Sequence, residues 1–177
     1  MRCYIALIIA ALGSGMVLAQ HAGHEAGKAP SPYAGLAERT IKALSTEQIA
    51  DLRAGRGMSL ALPAELNGYP GPSHALELAQ QIGLTSVQRQ RTEEIFAAMK
   101  AQASKLGDEL IAAEAELDRL FRDGRATSLS ITVAAATAAS VQGRLRATHL
   151  DAHLAMKALL TADQAESYAR ARGYRRP

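Results

Sequence analysis

Two long stretches of the chain carry apolar residues at the spacing of an α-helix. One runs from Thr85 to Gly124 and the other from residue 127 or 128 to Leu160, and in both the apolar and small positions recur about every 3.5 residues. Each stretch predicts a helix of roughly 35 residues, about 50 Å long. The first set of positions is Ile95, Met99, Gln102, Leu106, Leu110, Ala113, Leu117 and Leu120, and the second is Ile131, Ala134, Ala138, Val141, Leu145, Thr148, Ala152, Ala155 and Leu159.

The turn between these stretches, "RDGRAT", is short, so the two helices should lie antiparallel as a hairpin. A two-helix hairpin buries too little apolar surface to fold alone, so we expect short helices at its ends and a second subunit to complete the core. Leu150 and Leu154 lie off the apolar seam and are the expected partner face. The predicted fold class is all-α, a long antiparallel helical hairpin with short flanking helices, forming a homodimer.

Shorter elements are predicted on both sides of the hairpin. A helical pattern starts near Ala34 and passes an internal cap at Ser45, and a Pro- and Gly-rich segment then marks the border of the main unit. Ser73 can cap a short helix over residues 74–82, and a terminal helix ends near Gly173. The predicted organisation is a signal peptide over 1–19, a flexible leader over 20–34, a helical arm with its turn over 35–72, and the hairpin domain over 73–174.

The same short motif stands at three predicted helix starts. It reads Leu-Thr-x-x-Gln from Leu84 and from Leu160, and Leu-Ser-x-x-Gln from Leu44. The Thr or Ser at the N-cap accepts a hydrogen bond from the amide three residues on, and the Gln reaches back to the cap's own amide. Each copy therefore predicts the start of a helix. Single capping boxes are common in helical proteins, whereas three copies form a more specific pattern.

The N-terminus has the form of a secretory signal peptide. Arg2 precedes an apolar run from Tyr4 to Leu12, and a small-residue cleavage site ends at Ala19. The apolar run is too short to span a bilayer comfortably. We expect cleavage after Ala19, export, and no stable membrane insertion afterwards. An uncleaved N-terminal anchor is the alternative.

Composition narrows the classes of function. Cleavage would remove Cys3, the only cysteine, so no disulfide is expected. It would leave 19 basic against 17 acidic residues, a balance too even to indicate a nucleic-acid partner. The sequence contains no G-x-G-x-x-G, P-loop, C-x-x-C or G-x-S-x-G motif. We therefore expect neither an enzyme nor an organic cofactor.

Potential metal ligands cluster near the end of the second long helix. His149 and His153 are four residues apart and Met156 follows three later, so all three side chains project from one stripe. Imidazole with thioether suits nickel, cobalt, zinc or copper. The alternative is that the histidines form a polar flank and Met156 fills the core. His21 and His24 in the leader can bind metal weakly or belong to an ordinary linker.

Residues from two other elements are expected near this stripe. Counting outward from the turn at Gly124 places Glu93 and Glu94 level with the histidine pair. The short helix with His74 and Glu77 ends just before the first long helix begins, so it can fold over the same end. The predicted metal ligands are His149, His153, Met156, Glu94 and His74.

The paired boxes give the chain a resemblance to the Spy/CpxP family of periplasmic stress proteins, whose signature is Leu-Thr-x-x-Gln. The copies at Leu84 and Leu160 stand where that family has its two, and the resemblance covers roughly residues 74–172. It implies chaperoning on a dimeric cradle, inhibition of an envelope stress sensor, or, in the CnrX and ZraP type, binding of heavy metal. In the CnrX type, ligands come from a first helix, a hairpin Glu and a His-x-x-x-Met. Here His153 stands where that pattern has Met.

Two versions of an envelope-stress function follow. An ATP-independent chaperone would hold unfolding periplasmic proteins on an exposed apolar and cationic face, for which Leu150, Leu154, Arg144 and Arg146 are candidates. A metal sensor would bind metal more tightly in one conformation than in another and signal to a membrane regulator. A non-catalytic helical adaptor or inhibitor that docks on an envelope stress sensor is the alternative.

Overall fold

The computed structural model describes residues 31–174, and those from Gly35 onward belong to one compact unit. The predicted signal peptide and the leader histidines, His21 and His24, lie outside the described residues. The described part is all-helical and contains no strand, which confirms the predicted all-α class. None of the described helices is long and apolar enough to span a membrane. The α-helices are α1 (Thr46–Arg53), α2 (Leu62–Glu65), α3 (Pro72–Glu77), α4 (Ser86–Arg122), α5 (Ser128–Leu159) and α6 (Ala162–Ala171).

The predicted capping boxes start three of these helices. Ser45, Thr85 and Thr161 are the N-caps of α1, α4 and α6, and in each box the hydroxyl and the Gln side chain make the expected reciprocal hydrogen bonds. Helix α5 has Thr127 as its N-cap, with Ser130 in the place of Gln. These side chains satisfy amides that the first turn of a helix leaves without partners.

Two of the boxes are also joined to each other. The side-chain amides of Gln88 and Gln164 exchange hydrogen bonds of 2.8 and 2.9 Å. Gln88 Nε2 also lies 3.1 Å from Leu159 O at the end of α5, and Gln164 Nε2 lies 3.0 Å from Gly83 O before α4. Each Gln thus caps its own helix and binds a carbonyl of the segment that precedes the other box. The two boxes therefore act as a linked pair, whereas Gln48 in the third copy only caps α1.

Helices α4 and α5 pack along each other around an apolar cluster. Arg144 of α5 pairs with Glu109 of α4 at 3.1 Å, close to the middle of both helices. Helix α1 packs on α4, and its Leu52 enters the same cluster. The buried members are Leu52, Ala103, Leu106, Leu110, Ala138, Val141 and Leu145.

The predicted apolar seam is wrong towards the end of α5. The structure buries His149, His153 and Met156, whereas Ala155 is exposed and Thr148 is only partly buried. The seam was counted on two helices alone, but α2 and α3 also pack on α5 and cover the flank that carries the histidines. Burial on that side therefore depends on the preceding arm.

Two short elements also differ from the predictions. The helix expected from Ala34 is limited to a 3-10 turn at Ala34–Leu36 and to α1. The helix expected over residues 74–82 begins earlier and ends at Glu77, with Gly71 rather than Ser73 as its N-cap. Pro72 explains the earlier start, because its fixed φ and missing N–H suit the first position of a helix.

The arm packs closely against α4 at a glycine of α4. A Cβ added to Gly107 in α4 would overlap the carbonyl of Leu52 in α1. The absence of a side chain at this position lets the backbone of α1 lie directly against α4. The segment after α1 then leads along the surface of α4 and α5 towards the histidines, and Gly57 faces His149.

Candidate functional site

A cavity of 590 Å³ lies between the arm and the long helices. The arm and α3 supply one side of it, including Met58, Leu62, Glu65 and His74. Helix α4 supplies Phe96, Met99 and Lys100, and α5 supplies His149 and His153. Most of the lining is apolar, with polar groups that include two imidazoles from one helix. This composition is typical of a site that binds a small ligand.

Glu65, the last residue of α2, is the centre of a buried polar network. Its side chain is almost fully buried. Its Oε1 accepts hydrogen bonds from the hydroxyls of Tyr168 at 2.5 Å and Tyr174 at 2.9 Å. His74 Nδ1 and Arg172 Nε lie 3.5 and 3.6 Å from the same oxygen. Burial, followed by the hydrogen bond to Glu65, raises the pKa of Tyr168, which therefore remains a hydrogen-bond donor.

The second oxygen of Glu65 has a different environment. Glu65 Oε2 is buried and has no hydrogen-bond partner among residues 31–174, and His153 Nδ1 lies 3.6 Å away. A Cβ at Gly71 would lie 3.2 Å from both Glu65 Oε2 and His153 Nε2. The missing side chain of Gly71 therefore leaves the space beside both atoms free. A buried carboxylate oxygen without a partner is costly, so a hydrogen-bond donor or a cation beside it would be favourable.

The tautomer of His153 leaves one ring nitrogen available to a ligand. Its Nδ1 lies 2.7 Å from the carbonyl of Tyr69, and since a carbonyl can only accept, Nδ1 carries the proton. In the neutral form of the ring the lone pair is then on Nε2, which faces the space beside Gly71. Histidines that bind metal commonly donate their other N–H to a backbone carbonyl in this way.

His149 is the second buried imidazole of the cavity. It is 3% exposed, and its Nε2 has no hydrogen-bond partner within the described part of the chain. Burial, and then the proximity of His153, lowers the pKa of His149. The ring is therefore neutral at pH 7, which is the form that can coordinate a metal ion.

The arm carries backbone strain where it lines the cavity. Met58 and Ser59 have φ values of +43° and +63°, in the left-handed region that residues other than glycine rarely adopt. Both residues line the cavity. Strain of this kind costs on the order of 1–3 kcal/mol per residue and occurs most often at functional sites.

The structure brings together some of the predicted ligands and not others. His149, His153 and His74 line the cavity, whereas Glu94 is exposed, pairs with Arg91 at 2.6 Å and is not part of the lining. Met156 is fully buried in an apolar cluster with Ala75, Ile82, Leu160 and Tyr168. Met156 therefore fills the core, which is the alternative that the sequence analysis gave for it. The register count selected Glu94, which lies on the solvent face of α4.

Glu65 is the residue of the candidate site that the sequence analysis missed. It lies in the arm, outside the segment that carries the family resemblance, and the pattern around it shows only turn chemistry. One available signal was that an acidic residue follows Leu62 and Pro63 in a short apolar segment. That signal could not have indicated burial without knowledge of how the arm packs.

Within residues 31–174, no group of three or more His, Cys, Asp or Glu side chains is arranged closely enough to hold a metal ion as the side chains stand. Comparisons with family models, with curated proteins and with solved structures each give no match.

Proposed function

We propose that this protein is a non-catalytic, metal-binding helical protein of the periplasm, related in type to the Spy/CpxP proteins. The observation that supports this most strongly is at the cavity, where His149 Nε2 and Glu65 Oε2 are buried without hydrogen-bond partners among the described residues. The lone pair on His153 Nε2 and the nearby His74 add two further nitrogen donors. An ion bound here would satisfy groups that are otherwise costly to bury.

The donor set suggests the kind of metal. Neutral imidazoles with one carboxylate favour zinc, nickel, cobalt or copper over magnesium and calcium. His149, His153 and Glu65 are the proposed ligands, with His74 at the edge of the site. Met58 and Met99 also line the cavity and offer thioether sulfur, which suits copper. Binding by these donors requires their side chains to move closer together than they stand.

The proposed scaffold is an antiparallel hairpin of α4 and α5 that forms a dimer. The hydrogen bond from Gln88, near the start of α4, to Leu159 at the end of α5 supports opposite helix directions. The ion pair between Arg144 and Glu109 is consistent with the same antiparallel alignment of the two helices. Leu154, in the expected partner face, is 56% exposed, whereas the neighbouring Leu150 is partly buried.

Titration calorimetry of the processed chain with zinc, nickel, cobalt and copper tests metal binding. We expect binding in the micromolar range or tighter, lost in the double variant His149→Ala, His153→Ala and weakened at least about tenfold in Glu65→Gln. The weakening follows from loss of the carboxylate charge with little change in shape.

Two control variants make the result specific. His21→Ala, His24→Ala removes the leader histidines, and Glu94→Gln removes the carboxylate that lies outside the cavity; we expect both to bind like the wild type. Binding that survives the double variant at positions 149 and 153, or that the leader variant abolishes, would contradict a cavity site.

Exposed apolar residues favour client holding as a second candidate function. Phe121, Leu129, Val133 and Leu154 are each more than half exposed. We expect the protein to suppress aggregation of reduced α-lactalbumin at near-stoichiometric ratios, and the triple variant Phe121→Ser, Leu129→Ser, Val133→Ser to suppress it less. If that variant suppresses aggregation as well as the wild type does, clients bind at another surface. If the wild type does not suppress aggregation, the alternative function as a helical adaptor is favoured.

A further inference from the structure

The cavity is much larger than a metal ion requires. Its volume of 590 Å³ falls in the range that holds small organic molecules. Apart from the imidazoles and Glu65, side chains that face it include Met58, Leu62, Phe96 and Met99. Thioether and aromatic groups pack favourably on the edge and face of an aromatic ring. This part of the lining indicates a ligand with an apolar, planar body.

The polar end of the cavity indicates which functional group that ligand carries. Glu65 Oε1 already accepts hydrogen bonds from two phenolic hydroxyls, those of Tyr168 and Tyr174. Glu65 Oε2 is the equivalent oxygen of the same carboxylate, and it has no partner within residues 31–174. An organic ligand that completes this carboxylate needs a hydrogen-bond donor, and a hydroxyl matches the chemistry of its neighbours.

We propose that the cavity binds small phenols, with the phenol hydroxyl donating to Glu65 Oε2 and the ring lying against Met58, Phe96 and Met99. This ligand class goes beyond metal binding and does not require a metal. Because the phenol and a metal ion would share Glu65 Oε2, we expect zinc to weaken phenol binding.

Calorimetry and saturation-transfer NMR with 4-propylphenol, in the presence of EDTA, test the proposal. 4-Propylanisole is the matched control ligand, since it keeps the ring and alkyl chain but has no hydroxyl proton. We expect saturable binding of 4-propylphenol and at least about tenfold weaker binding of 4-propylanisole, because the ether leaves the carboxylate without a donor. Equal binding of the two ligands, or no binding of either, would overturn the proposal.

Variants of α4 test the location without altering the Glu65 network. Met99→Trp places a large side chain in the cavity, and Val87→Trp adds the same side chain at a position that is 74% exposed. The chain has no tryptophan of its own, so each variant also carries a single fluorophore that reports its folding. We expect Met99→Trp to lower the affinity for 4-propylphenol at least about tenfold and Val87→Trp to leave it unchanged. Equal affinity of the folded variants would overturn the cavity assignment.

The two proposals fail in different ways. Phenol binding in EDTA without any metal binding would remove the metal function and support this inference. Zinc binding that depends on His149 and His153, with no response to 4-propylphenol, would overturn this inference and leave the metal function standing.

Discussion

Gln88 and Gln164 have a role that goes beyond capping. Each side chain accepts a hydrogen bond at its own box and donates to a carbonyl of the segment that precedes the other box. A Gln that bridges two segments stabilises tertiary structure, whereas one that only caps stabilises a single helix turn. Gln48 is the internal comparison, because it makes the cap and no cross-link.

Alanine variants separate these two effects. We expect Gln88→Ala to lower the free energy of unfolding by about 2–3 kcal/mol, since it removes the cap bond and two part-buried partners. Gln48→Ala should cost about 1 kcal/mol or less. Urea unfolding followed by circular dichroism measures both free energies. Equal losses of stability in the two variants would show that the hydrogen bonds between the two boxes contribute nothing. The double variant Gln88→Ala, Gln164→Ala should lose less than the sum of the single losses, because the two residues share hydrogen bonds.

His149 links stability to pH. In the folded chain burial lowers its pKa below the ordinary value of 6.5, so the unfolded chain binds a proton more readily. The stability that comes from the neutral ring is fully present above pH 6.5 and is lost as the pH falls below it. We expect the free energy of unfolding in EDTA to decrease between pH 7 and pH 5, and His149→Gln to show a smaller decrease. An identical decrease in the variant would assign the effect to other groups.

Docking of α1 on α4 depends on Gly107. A methyl group there would collide with the backbone carbonyl of Leu52, which cannot move aside without displacing the helix. Gly143, in α5, has nothing within 4 Å of an added Cβ and is the matched control within a helix. We expect Gly107→Ala to destabilise the protein by about 2–4 kcal/mol. Gly143→Ala should stabilise it by up to about 1 kcal/mol, because alanine favours the helix.

Thermal and urea unfolding of the two glycine variants test this difference in sign. A neutral Gly107→Ala would mean that α1 does not pack closely on α4. Hydrogen exchange of the α1 amides provides a second measurement, because loss of docking should accelerate exchange in α1 before it affects α4 and α5.

The long elements were predictable because their signals are local. Thr85 and Thr127 are the N-caps of α4 and α5, and Gly124 follows α4 at a positive φ of 66° as a glycine C-terminal to a helix commonly does. The short helix at Pro72 was misplaced because two competing N-cap signals, Gly71 and Ser73, lie next to each other. Local sequence does not decide between them without the packing of the arm.

The site was only partly predictable for a different reason. His149 and His153 were identified by their spacing on one helix, which is a local property. Glu65 reaches them from 84 or more residues away in sequence, through the packing of α2 on α5. Spacing along a helix also does not show which of its faces is buried when the neighbouring elements are unknown. For this reason the sequence analysis selected Glu94 and not Glu65.

The molecule as a whole assembles its candidate site from its two halves. The arm before Gly71 supplies Glu65, Met58 and the strained backbone, and the long helices supply the histidines. The arm is therefore part of the proposed site, although it lies outside the segment with the Spy/CpxP resemblance. A chain without the arm would keep the paired boxes and lose the buried carboxylate.

Anomalous diffraction at the zinc edge from crystals of the processed chain grown with zinc tests the proposed site most directly. A metal-binding cavity predicts an anomalous peak about 2.0–2.2 Å from a nitrogen of His149, from His153 Nε2 and from Glu65 Oε2. Absence of a peak in the cavity while zinc is bound elsewhere, for example at the exposed Glu93 and Glu94, would contradict it.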